Sequence, residues 1–289
     1  MSLNHNVLAS LYYPLRLKNK FQNIFYLDGV KQLRVLIFHD IAPLEENIFE
    51  KQILDLARNW DFVTPDTFES MIDGILPVEK DSLLLTFDDG FISCRNVAEN
   101  ILKKLDIKAL FFIVSEFVSQ SENDCRTFVA KNINPQMQPE HVPDYCRNMS
   151  VDDLNYLLEQ GHTIGAHTAN HARLSNLSGQ ELEKEIVDSA DHLEKLLSIK
   201  VNHFAYTFGN LASFSPEALA VARKRFKYIY TGFRGNNGVR SVPWAICRDS
   251  IKPQDSKYLA GAFLEGGADW LYSKDRKIFS AWGSDEGGF

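Results

Sequence analysis

Ser82-Leu-Leu-Leu-Thr-Phe-Asp-Asp-Gly90 decides how the chain is read. An unbroken apolar and β-branched run leads into two adjacent carboxylates. Such a run predicts a short strand covered on both faces, because a strand buried on two sides need not alternate. Gly90 permits the tight turn that ends it. Asp88 and Asp89 then stand at a strand end, where α/β proteins place chemistry. Two close, poorly solvated carboxylates repel, so they call for a cation or a shared proton. Asp-Asp-Gly is also an ordinary turn sequence, and the stretch alone does not choose between these readings.

Outward from it, apolar runs alternate with helical periodicity. Strands are predicted at 34–38, 61–63, 82–87, 109–114, 162–166, 203–206 and 228–231. Helices are predicted at 45–59, from 66, at 92–105, from 150, and at 178–197, 216–226 and 254–272. Ser150 and Asp153 form a capping box for the fourth helix. About seven strands alternating with helices imply one α/β domain with a mainly parallel sheet, open or closed as a barrel. Residues 115–149 break the rhythm. They are polar and proline-bearing, which predicts a functional loop or mobile insertion over the site. The expected organisation is an arm at 1–32, a domain at 33–272 and a loose tail at 273–289.

Composition narrows the function. The chain is 45% hydrophobic and 24% charged, as a soluble globular protein is. A net charge of −7 argues against nucleic acid as a partner. Cys94, Cys125, Cys146 and Cys247 make no C-x-x-C pair, so reduced thiols in a cytoplasm are expected, with a Cys125–Cys146 bridge as the alternative. No secretion signal opens the sequence, and no apolar run reaches the ~18–20 residues of a spanning helix. The expected location is cytoplasmic, at most peripheral at the inner face of a membrane. Residues 8–21 mix leucine, tyrosine and basic residues. They read first as an arm packed on the domain, and second as a segment resting on an anionic membrane surface.

The second chemical stretch is Gly165-Ala-His167-Thr-Ala-Asn-His171. Two imidazoles so spaced can converge on one cation. With one carboxylate from the Asp88-Asp89 pair they make the donor set of catalytic zinc sites, which keep a position open for water. The other Asp is then free to act as a base.

Thr86-Phe-Asp-Asp-Gly90 and His167-x-x-x-His171 resemble the first two motifs of the polysaccharide deacetylase family, the NodB homology domain. His39-Asp40, Gly161-His-Thr-Ile-Gly165 and a variant third motif, Phe204-Ala-Tyr-Thr-Phe-Gly209, add to the resemblance. It implies a distorted (β/α) barrel of about seven parallel strands and one divalent metal, usually Zn2+. Asp89, His167 and His171 would be its ligands, Asp88 the general base, and the Phe208 backbone N–H a donor to the developing oxyanion. His39, Asp40 and Tyr206 would lie around the site or the substrate.

Three positions depart from the family pattern. Ala205 stands where the third motif has an Arg that orients the base, Thr207 where it has proline, and no Leu-x-His near the C-terminus supplies the general acid. Arg248 is the candidate for the missing positive charge beside Asp88. An arginine cannot be the acid, because it stays protonated. Asp88 returning its own proton, His39 or His141 are the candidates for that step. Trp244 and Trp270 read as core residues, with sugar stacking as the alternative.

The expected function is metal-dependent removal of an acetyl group from an N-acetylated sugar, with a carrier-linked intermediate of surface-polysaccharide synthesis as the natural cytoplasmic substrate. Deformylation and O-deacetylation would use the same site. A non-catalytic relative that keeps the metal and binds glycan is the competing class.

Overall fold

The computed structural model describes residues 4–25, 31–238 and 241–284. Its strands are β1 (Leu33–Phe38), β2 (Asp61–Phe62), β3 (Ser82–Phe87), β4 (Ala109–Ile113), β5 (Thr163–Ala166), β6 (His203–Ala205), β7 (Tyr228–Tyr230) and β8 (Asp249–Ser250). Seven run parallel in the order β7-β6-β5-β4-β3-β1-β8, and β2 pairs with β3 outside that order. Ile246, just ahead of β8, bridges Tyr230 of β7, while Asp249 of β8 pairs with Leu36 of β1. One short segment therefore touches both edges of the sheet and curls it into a distorted barrel. That segment was not predicted as a strand, since it holds only two paired residues.

Alternation along the strands separates two cores. Leu33, Val35, Leu84, Leu110, Phe112, Ala205, Tyr228, Tyr230 and Ile246 pack inside the barrel. Leu36, Phe38, Leu83, Leu85, Phe87 and Phe111 face outward against the helices. Asp88 shares the inward parity of Leu84 and Thr86, so the first carboxylate of the decisive stretch enters the barrel mouth. Buried ion pairs fix the seam: Asp249 meets both Arg34 and Arg234 at 3.3 Å. Their bonds hold the backbone next to Arg248.

Three expectations about the chain outside the barrel change. Residues 115–149 are not a loose loop. Helices at Ser115–Val118 and Glu122–Phe128 bury Phe117, Cys125 and Phe128 against the domain. The prolines at 135, 139 and 143 lie beyond those helices and hid their period. The end of the segment is tied down by Met149 N–H donating to Gly90 O. The tail is ordered as far as it is described. Ser273–Ser284 is a helix with Phe279 buried, and residues 285–289 lie outside the described part. The predicted 254–272 helix is a shorter one, Lys257–Leu264, followed by a separate turn at Asp269–Tyr272. All four cysteines are free and buried, with no bridge between Cys125 and Cys146.

The arm is two helices, α1 (His5–Ser10) and α2 (Tyr12–Phe25), broken at Leu11. Pro14 does not interrupt α2, because it sits in the first turn, where its missing N–H has no helical acceptor to lose. Leu8 is buried, and Tyr12 lies over Gly261, where any side chain would collide with its ring.

His162 carries a consequence for acid stability. It is buried at the foot of β5, and its Nδ1 accepts the Ala109 N–H at 3.0 Å. Burial, with Lys108 nearby, pushes its imidazole down to about 4. The unfolded chain binds this proton from about pH 6.5 downward, whereas the native state resists it until about 4, so stability is present above pH 6.5 and lost as pH falls. The contribution lost by pH 4 is roughly 3 kcal/mol. His162→Asn keeps an acceptor near the Nδ1 position and should flatten the stability slope between those pH values. Denaturant titrations of both proteins across the interval check this; parallel curves would remove the assignment.

Candidate active site

β3 and β5 deliver the two motifs to the same end of the sheet, and backbone strain aims them. Asp89, Thr168, His171 and Phe208 all have positive φ, at 75°, 65°, 58° and 61°. Non-glycine residues in this region cost energy, and such strain gathers where a surrounding structure imposes a functional geometry. Here it falls on the turns after β3, β5 and β6.

Asp89 Oδ1 lies 3.5 Å from His167 Nε2 and 3.4 Å from His171 Nε2. Each imidazole is held from its far side. His167 Nδ1 donates to Ala205 O at 2.6 Å, and His171 Nδ1 donates to Asn132 O at 2.9 Å. These bonds leave both Nε2 lone pairs facing Asp89 whenever the rings are neutral. All three residues are buried, and Asp89 Oδ1 has no hydrogen-bond partner among the described residues.

The electrostatics ask for positive charge. Burial works against ionised Asp89, but the adjoining His167 imidazole, with His171 and His39 nearby, holds it well below the usual carboxylate range. Burial would also pull the His167 imidazole down; Asp88 and Asp89 more than reverse this and raise it. His171 is lowered, chiefly by burial. A divalent cation fits this donor set: three buried donor atoms converge, one carboxylate oxygen is orphaned, and both rings are locked in the ligating tautomer.

Asp88 lies beside this centre with a different partner. Its Oδ1 accepts Arg248 Nη1 at 2.7 Å, with both side chains buried, and its Oδ2 is 3.9 Å from His167 Nε2. Burial alone would raise its carboxyl; Arg248, followed by His167 and His39, holds it below the ordinary value. Arg248 is itself fixed by Nε donating to Thr231 O at 3.0 Å, and its guanidinium lies over the Phe112 and Tyr230 rings. Ala205, the small residue of the variant third motif, faces the same barrel interior.

A cleft of about 310 Å3 opens onto the centre, lined by His39, Asp40, Asp89, His171 and Phe208 on one side. Its other wall, including Val129, Met137 and Tyr145, comes from the 115–149 segment. That segment also supplies Asn132, whose carbonyl orients His171. The Phe208 N–H donates to no protein acceptor among the described residues.

Not every expected residue is here. Tyr206 is turned away; it stacks on Phe214 at 4.2 Å and donates its hydroxyl to Gly209 O. Its role is to brace the third-motif turn, not to line the cleft. Trp244 packs on Gly283 and Phe279, and neither it nor Trp270 lines the cleft. His141 is likewise absent from the cleft wall.

Two supports escaped the sequence reading. In sequence Glu185 is one of several acidic residues in the first half of the 178–197 helix. It is buried, and its carboxylate holds the Asn170 backbone N–H and side-chain amide at 2.9 Å, clamping the turn between the two histidines. Thr207, the residue in the proline position, donates its hydroxyl to Ala172 O at 2.5 Å and ties the second and third motifs together.

A polysaccharide deacetylase model matches residues 76–225, just over half of the chain. The chain belongs to the polysaccharide deacetylase family. Similar solved structures extend the likeness beyond the matched part. IcaB from Ammonifex degensii superposes with a TM-score of 0.65 at 23% identity, covering 81% of this chain and 97% of its own. The Streptococcus pyogenes deacetylase PplD gives 0.63 at 22% identity, covering 80% and 97%. At these identities the likeness is one of fold. The Bacillus subtilis protein YxkH, whose name marks it as a candidate polysaccharide deacetylase, is 21% identical over 249 residues, 81% of this chain and 76% of its own. In this family member the guanidinium beside Asp88 comes from the barrel seam, through Arg248, while the small Ala205 faces the same interior.

Proposed function

We propose that this chain is a metal-dependent deacetylase acting on an N-acetylated sugar. One observation carries the reading. An orphaned buried carboxylate oxygen and two oriented imidazoles converge next to a second carboxylate that an arginine keeps ionised.

Asp89, His167 and His171 would hold one divalent ion, with zinc the ordinary choice for two imidazoles and a carboxylate. When bound, the ion lowers the pKa of water to about 7 and polarises the substrate carbonyl. Asp88 takes the proton from the attacking water, and Arg248 keeps it charged and aimed until then. The unengaged Phe208 N–H donates to the oxygen as it gains charge. His39, on the cleft wall and close enough to stabilise both Asp88 and Asp89, gives the leaving amine its proton. A free base held ready in the barrel favours catalysis over simple glycan binding, which has no use for one.

The cleft lies near the lower end of the ~300–1,000 Å3 usual for small-molecule sites, which suits a single acylated sugar unit. A carrier-linked intermediate of surface-polysaccharide synthesis, processed in the cytoplasm, is the substrate we favour; N-acetyl is the group we favour over formyl or O-acetyl.

Metal content of purified protein and of His167→Ala, with acetate release from N-acetylated sugars measured on the same samples, tests the whole reading. Near one metal per chain, loss in the variant by tenfold or more in affinity and acetate release from the parent alone are expected. A parent that carries no metal after preparation under metal-replete conditions would overturn it.

A further inference from the structure

The arm presents an unusual outer face. At 100° per residue, Tyr12, Leu15, Arg16 and Asn19 form the side of α2 turned to the domain. Arg16 and Asn19 bond Glu265, and Tyr12 lies on Gly261. The opposite side carries Tyr13, Pro14, Leu17 and Phe21. Tyr13, Leu17 and Phe21 are 65%, 56% and 50% exposed, and Val7 and Leu11 of the α1 end are 57% and 43% exposed. Lys18 and Lys20 flank this stripe, one on each side, and residues 4–25 contain no Asp or Glu in a chain of net charge −7. A soluble surface helix has the reverse pattern, with its polar face outward.

We propose that α1 and α2 dock the protein onto an anionic lipid bilayer, with the outer stripe lying in the interface and the lysines at the phosphates. Apolar residues flanked by basic ones, at high amphipathicity, are what an interfacial helix needs. Tyr258 extends the stripe, its ring 5.8 Å from that of Tyr13. The tyrosines suit the headgroup level, where one end of the ring is wet and the other apolar. The helix lies on the bilayer and does not cross it. Fourteen residues span about 21 Å at 1.5 Å each, short of the ~30 Å hydrocarbon core. A second copy of the chain is the poorer occupant. Pairing the stripe with itself would bring Lys18 and Lys20 against their own copies, with no carboxylate on either helix to answer them. The packed-arm and membrane readings of residues 8–21 thus describe two faces of one element.

Sedimentation with vesicles tests this, using phosphatidylcholine alone and phosphatidylcholine mixed with phosphatidylglycerol. The protein should pellet with the mixed vesicles and less so as salt rises. Leu17→Glu and Lys18→Glu/Lys20→Glu should each weaken partitioning about tenfold or more, while thermal unfolding and bound metal stay unchanged. Failure of the parent to bind mixed vesicles, or binding that neither variant disturbs, would overturn the proposal. So would a dimer in light scattering that Leu17→Glu dissociates. The assay needs no turnover, so its outcome is separate from that of the deacetylase reading.

Discussion

Asp88→Asn should keep the metal and lose turnover by roughly 10²- to 10⁴-fold, the range a general base contributes. The substitution keeps the shape of the carboxylate and an oxygen for Arg248, but it removes the carboxylate proposed to accept the proton of the attacking water. His39→Asn should fail differently. Its proposed task is to protonate the departing amine, and a leaving group that is stable as an anion does not need that proton. His39→Asn should therefore lose activity on N-acetylated sugars while keeping much of its hydrolysis of 4-nitrophenyl acetate. Asp88→Asn should lose both. Parallel losses on both substrates for the two variants would remove His39 from the acid role and return that role to Asp88 itself.

The contrast between those two residues mirrors what the sequence could disclose. Asp88-Asp89-Gly90 and His167-x-x-x-His171 were legible because each motif is local in sequence and stands at the end of a strand that the apolar pattern marks. The barrel was legible for the same reason, strand by strand. Its seam was not, because Ile246–Ser250 owes its conformation to two edges that meet only after folding. Asn132 was invisible on principle: it orients His171 through a backbone carbonyl, which any residue type would supply. Glu185 looked like every other acidic residue in its helix. Only the turn packed against it shows that its carboxylate is spent on Asn170. Arg248 stood between these cases. The absence of an arginine at Ala205 created a demand for charge, and the sequence named a candidate without any local signal that its side chain enters the barrel.

Arg248 is also where structure and catalysis are hardest to separate, and a pair of variants separates them. Arg248→Met retains the length and apolar stem over Phe112 and Tyr230 but leaves Asp88 buried and unpaired. Breaking one side of a buried ion pair costs about 3–5 kcal/mol, so the variant should unfold at markedly lower denaturant. Turnover should fall as well, by an estimated 10²-fold or more, since the base loses both its charge stabilisation and its aim. Bound metal should persist, because the hydrogen bonds of Arg248 go to Thr231, Thr86 and Asp88 and not to Asp89, His167 or His171. Adding Asp88→Asn to Arg248→Met removes the stranded charge and should restore much of the lost stability without restoring any turnover. Recovery of stability alone would show that the cost of Arg248→Met came from the unpaired carboxylate. If the double variant were as unstable as Arg248→Met, the guanidinium would instead be holding the barrel seam through Thr231. Its pairing with the base would then be incidental to the fold.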